Sequence, residues 1–98
     1  MNIKELIKEA HSNAVKHNFY SSYPKNDVYK KLQEEVQEFG IAIPSNIFNK
    51  DSEQSEISDI ILVLLAYCGE KNYDIEKDII AKMEYNKTRE YWYGNGKN

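Results

Sequence analysis

The sequence predicts an all-α protein, a four-helix bundle-type protomer, and three observations carry that reading. Apolar residues recur at intervals of three and four along most of the chain, helix-capping residues and glycines punctuate those stretches, and no segment alternates apolar and polar residues as a strand would. The chain has 98 residues, 41% of them hydrophobic and 30% charged. That length suits one domain, and so much charge implies long solvated faces around a narrow buried stripe. A thin core of this kind gains burial by pairing with copies of itself, so an oligomer is expected.

Ile3, Leu6, Ile7, Ala10, Ala14 and Val15 define a first helix from about Ile3 to His17, broken by the segment Ser21 to Pro24. Asn26 or Asp27 caps a second helix, with Val28, Leu32, Val36 and Phe39 on one side and Gly40 and Pro44 at its end. Residues 43 to 51 read as a loop. Asp51 followed by Gln54 fits a capping box for a third helix that runs to a C-cap at Gly69. From Ile60 to Cys68 this helix is apolar all round, which predicts a central position surrounded by the others. Asp74 caps a fourth helix with Ile75, Ile79, Ile80 and Met83 facing inward, ending near Arg89 and followed by a tail from Tyr91 to Asn98.

A net charge of −3 argues against a nucleic-acid backbone as partner, but a polyanionic small molecule is compatible with it if a metal supplies positive charge. The apolar run from Ile60 to Cys68 is far too short to span a membrane. One cysteine and no signal-like opening suit a cytoplasmic protein.

Acids interrupt the apolar pattern in two places. At roughly 100° per residue, Glu35 lies about 60° from Leu32 and about 40° from Phe39, so it points into the core, whereas Glu34 turns to solvent. Glu38 follows one turn later on the edge of the same face. The third helix repeats the spacing with Glu56 and Asp59, and antiparallel packing of the two helices would bring all four carboxylates to one pocket. An isolated ExxE in a Glu-rich chain is usually a solvated face. Two such pairs on consecutive helices, one of them on an apolar face, point instead to a cation site, because four unpaired carboxylates in a poorly solvated pocket repel one another. Oxygen-only ligands suit Mg²⁺, with Mn²⁺ as substitute, and argue against structural zinc. On the fourth helix Lys82, Asn86 and Arg89 share one row and are candidates to hold phosphate oxygens, although a basic last turn also simply complements the helix dipole.

The segments KLQEEVQEF (Lys31 to Phe39), SEISD (Ser55 to Asp59) and KMEYNKTR (Lys82 to Arg89) together resemble the MazG-like nucleoside triphosphate pyrophosphohydrolases. That family is marked by ExxE, a spacer, ExxD and a helix bearing Lys and Asn; here seventeen residues separate Glu38 from Glu56. The stretch AVKHNFY (Ala14 to Tyr20) is similar to one that contributes to the base pocket in small members, although His17 and Asn18 stand where a Gly is frequent. The resemblance implies that Glu35, Glu38, Glu56 and Asp59 bind Mg²⁺ and that Lys82 and Asn86 contact phosphates. It further implies cleavage between the α- and β-phosphates, giving a nucleoside monophosphate and pyrophosphate, by a homodimer or homotetramer. His17 and Phe19 are the expected base contacts, with Tyr20, Trp92 and Tyr93 offering further aromatic surface.

Three other readings compete. A ferritin-like oxidase needs Glu-x-x-His pairs, and His11 and His17 belong to no such motif. The phosphoribosyl-ATP pyrophosphatases are similar in fold and metal motif but usually place a His four residues after the ExxD Asp, where this chain has Val63. A non-catalytic helical dimerisation module would explain the apolar third helix but not the intact acid pairs.

Overall fold

The computed structural model describes residues 1–22, 27–42 and 50–89. Among them there are helices and no strand: α1 (Ile3–Lys16), the single turn α2 (Phe19–Ser22), α3 (Val28–Ala42), α4 (Lys50–Lys71) and α5 (Ile75–Thr88). The expected break at Pro24, the alternative cap Asn26, Pro44 and the tail with Trp92 and Tyr93 lie outside the described residues.

Several helix boundaries have a local cause. Asn2 and Glu5 form a reciprocal capping box at the start of α1: the Glu5 N–H donates to Asn2 Oδ1 at 2.9 Å, and the Asn2 N–H to Glu5 Oε1 at 2.7 Å. Such a cap stabilises by about 1 kcal/mol. Asn18, at φ 60°, ends α1 in the left-handed conformation that asparagine tolerates, and the chain turns immediately into α2. Asp27 caps α3 by accepting from the Lys30 N–H at 2.9 Å. The helix then continues through Gly40 to Ala42, where the expected loop begins, because a lone glycine weakens a helix without ending it.

The third long helix departs from expectation at both ends. It begins at Lys50, so Asp51 lies inside its first turn and is not its cap. It also runs two residues past Gly69. Its stop is a Schellman turn at Asn72, φ 59°, in which Tyr73 N–H donates to Cys68 O at 3.0 Å and Asn72 N–H to Gly69 O at 3.4 Å. Gly69 serves packing instead: a Cβ there would stand 2.5 Å from His11 Cβ, so the missing side chain is what lets α1 approach α4. One residue on, Glu70 Oε1 pairs with His11 Nε2 at 2.9 Å.

Helix α4 is central, with α1 packed on one side and α3 on another, while α2 rests on α1. Leu65, Ala66 and Cys68 form the buried apolar centre, and Glu35 of α3 is buried as well. The cover is incomplete, however: Ile61, Leu62 and Leu64 keep 43–49% of their surface exposed, as does Val36 of α3 at 47%. The expectation that Ile79, Ile80 and Met83 face inward is likewise overturned, for they are 41–58% exposed. After the turn at Asn72, and among the described residues, α5 makes no extended interface with α1, α3 or α4 and meets the bundle only near its start, where Lys4 of α1 lies beside Asp74 and Glu76. Among the described residues, no helix is long and apolar enough to cross a membrane.

Candidate metal centre and adjoining cavity

Packing of α3 on α4 brings three of the four predicted acids together. One oxygen from each of Glu35, Glu38 and Glu56 lies within 4.8 Å of the others. Their environments differ sharply. Glu35 is 7% exposed and has the Lys31 ammonium at 3.0 Å from its Oε2, one turn back on the same helix. Glu38 is exposed, and Glu56 is half-buried. Glu34 faces solvent as expected. Asp59, half-buried one turn beyond Glu56, falls outside the close trio, yet its charge acts on Glu56.

Glu56 is the strained member. Its Oε1 is buried and accepts no hydrogen bond from the described residues. Burial pushes its carboxyl above the usual carboxylate range, and the charges of Glu38, Asp59 and Glu35 push it further the same way. A hard divalent cation fits this arrangement, since the donors are all oxygen and one of them lacks any protein partner. The group contains no His or Cys.

A cavity of about 260 Å³ adjoins this region between α1, α2, α3 and α4, and His17 and Phe19 both line it, with Ala14, Tyr20 and Val63. The α1–α2 corner explains why. The left-handed turn at Asn18 throws Phe19 and Tyr20 back toward the bundle, where their rings meet edge to face at 4.8 Å. Tyr20 is held protonated, its hydroxyl pushed up to about 12 by burial and then by Glu70. The cavity wall also includes Lys31, which sequence reasoning left without a role. Its signal was present in the spacing, four residues before Glu35, but a lysine in a charged helix has many ordinary explanations.

Lys82 and Asn86 lie in the last turns of α5 and Arg89 is its C-cap, but among the described residues α5 makes no extended contact with α3 or α4, so the described part of one protomer does not gather them with the carboxylates. Lys82 is exposed. Arg89 Nη1 donates to Asn86 Oδ1 at 2.8 Å, and its guanidinium lies 5.4 Å from the Tyr85 ring centroid.

A helical fold with acids converging from two adjacent helices defines a class of proteins with the donors to hold a divalent cation. The comparison with known families narrows that class: the sequence matches the phosphoribosyl-ATP pyrophosphohydrolase family over residues 2–86, and the chain belongs to it. It is therefore a hydrolase acting on acid anhydrides, of the all-α pyrophosphohydrolase kind, with a nucleotide-type substrate. No curated protein and no solved structure is significantly similar to it.

Proposed function

We infer that the chain hydrolyses a nucleoside triphosphate between its α- and β-phosphates, releasing a nucleoside monophosphate and pyrophosphate, with Mg²⁺ as cofactor and Mn²⁺ as substitute. The observation that carries this reading is the orphaned Glu56 oxygen within a trio of converging carboxylates, set beside a cavity of suitable chemistry for a base. Glu35, Glu38, Glu56 and Asp59 hold the metal in this account. When bound, Mg²⁺ would neutralise phosphate charge and lower the pKa of a coordinated water. One of the four carboxylates would take the water's proton.

Phe19 supplies a face for the base and His17 polar contacts to its edge, both from the cavity wall. Lys82, Asn86 and Arg89 hold the departing phosphates from a second copy of the chain. Two uncovered surfaces support that arrangement: the Ile79, Ile80, Met83 stripe of α5, and the Ile57, Ile61, Leu64 ridge of α4. Each could cover the other in a homodimer or homotetramer. A lone buried cysteine, Cys68, suits a reducing cytoplasm.

The family match favours a second reading, phosphoribosyl-ATP as the substrate, cleaved at the corresponding bond. Against it stands Val63, an apolar cavity residue at the position where those enzymes usually carry a histidine. A panel of nucleoside triphosphates and phosphoribosyl-ATP, incubated with Mg²⁺ and resolved for products, separates the two. Pyrophosphate from a simple nucleoside triphosphate supports the first reading, and turnover confined to phosphoribosyl-ATP supports the second.

A further inference from the structure

Among the described residues, Lys31 alone joins the acidic group to the adjoining cavity. Its Nζ lies 3.0 Å from Glu35 Oε2, and its side chain forms part of the wall that holds His17 and Phe19. Glu35 is 10% exposed at its side chain, and a carboxylate so poorly solvated needs a counter-charge. In the arrangement described the ammonium provides it, while an oxygen each of Glu38 and Glu56 lies within 4.8 Å of the Glu35 carboxylate. A divalent cation among these carboxylates makes a second positive charge in contact with Glu35 superfluous and repelled. The lysine stem is flexible, and the ammonium can turn along the wall its side chain already lines. An anion lying between the cavity and the carboxylates is what it would meet there.

We propose that Lys31 is an exchangeable counter-cation: it neutralises Glu35 while no divalent cation is bound, and it passes to a phosphate oxygen of the nucleotide once the metal takes Glu35. The phosphate half rests on the nucleotide reading given above, and the counter-cation half on the metal reading, so a wild-type chain that binds no Mn²⁺ overturns both. This role makes an unusual demand, because removing the ammonium must affect the two ligands in opposite directions. A lysine that merely propped Glu35 in place would weaken both.

The test compares the wild-type chain with Lys31→Met, which keeps the length of the side chain, and Lys31→Arg, which keeps its charge. Mn²⁺ binding is titrated without nucleotide at pH 8, and binding of a non-hydrolysable nucleoside triphosphate analogue and of the parent nucleoside is measured separately. Lys31→Met is expected to bind Mn²⁺ several-fold more tightly and the triphosphate analogue about tenfold more weakly, with the nucleoside unchanged. Lys31→Arg should retain most of the triphosphate affinity. Mn²⁺ affinity that is unchanged or lowered in a folded Lys31→Met overturns the counter-cation role, and unchanged triphosphate affinity overturns the phosphate role. A wild-type chain that binds Mn²⁺ but no triphosphate overturns the nucleotide reading and the phosphate half with it, while the Mn²⁺ comparison still decides the other half.

Discussion

Glu35 of α3 and Glu56 of α4 meet with carboxylate oxygens within 4.8 Å, yet only the first has a cation at hand: Lys31 pairs with Glu35, whereas Glu56 Oε1 is buried with no donor. Such asymmetry makes Glu56 costly to the empty protein and valuable to a loaded one. Glu56→Gln and Glu35→Gln are each expected to lower Mg²⁺-dependent kcat/KM by on the order of 10²-fold or more, with helical content by circular dichroism intact. Glu56→Gln should in addition melt at a higher temperature than the wild type without metal. Glu34→Gln, on the solvent side of the same helix, should leave the rate unchanged. Full activity in both amide variants at the site would remove these residues from the metal centre.

The raised proton affinity of Glu56 fixes a pH dependence. A carboxyl that binds its proton more tightly folded than unfolded contributes stability that is present below its ordinary value of 4.5 and is lost as pH rises through the higher folded value. In chelator the melting temperature should therefore fall with rising pH above that point. With saturating Mg²⁺ the decline should flatten, since the cation takes the proton's place. Parallel curves with and without metal would contradict the assignment.

Two glycines on adjacent helices should respond oppositely to alanine. Gly69 faces the His11 ring with no space for a Cβ, so Gly69→Ala should destabilise by about 1–3 kcal/mol in urea denaturation. Gly40 has nothing within 4 Å of where its Cβ would lie, and Gly40→Ala should stabilise by about 0.5–1 kcal/mol through helix propensity alone. Similar shifts of one sign would mean that the α1–α4 contact is not as close as described.

Much of this arrangement is legible in the sequence, and the failures have a common cause. Glu35, Glu38, Glu56 and Asp59 could be picked out because acids at helical spacing on an apolar face break a strong periodic rule, and the structure gathers the first three. The long helices followed from period and caps. What period cannot supply is the partner of an apolar face: the stripe of Ile79, Ile80 and Met83 reads identically whether its own protomer or another covers it. The same ambiguity hid the fate of the Ile60 to Cys68 run, only part of which is buried within the protomer. Lys31 went unassigned because an ion pair one turn apart is among the commonest arrangements on helices, and only the cavity beside it gives the pair meaning. The end of α4 was misplaced since Gly69 looks like a stop signal, while its actual role depends on His11, 58 residues earlier in sequence.

Association is testable through complementation. The wild-type chain should sediment as a dimer or larger at micromolar concentration, and Met83→Asp should shift it toward monomer. If α5 serves the neighbouring protomer's carboxylates, mixing inactive Glu56→Gln with inactive Asn86→Ala chains should recover roughly a quarter of wild-type activity in a dimer, from hybrid pairs that each keep one intact site. No recovery after verified subunit exchange would place Lys82, Asn86 and Arg89 outside the site.

The base end of the cavity makes a separable prediction. Phe19→Ala should raise KM for the preferred nucleotide while leaving Mg²⁺ affinity nearly unchanged, because the ring lines the cavity and does not belong to the acidic trio. Unchanged kinetics across all nucleotides, in a folded variant, would exclude Phe19 from base binding.

The most direct measurement of the central claim is product identification under single-turnover conditions in ¹⁸O-labelled water with Mg²⁺. The account predicts pyrophosphate and a monophosphorylated nucleotide in equal amounts, no inorganic phosphate as first product, and no turnover in chelator or in Glu56→Gln. Release of inorganic phosphate from the γ-position, or turnover that persists without a divalent cation, would contradict it.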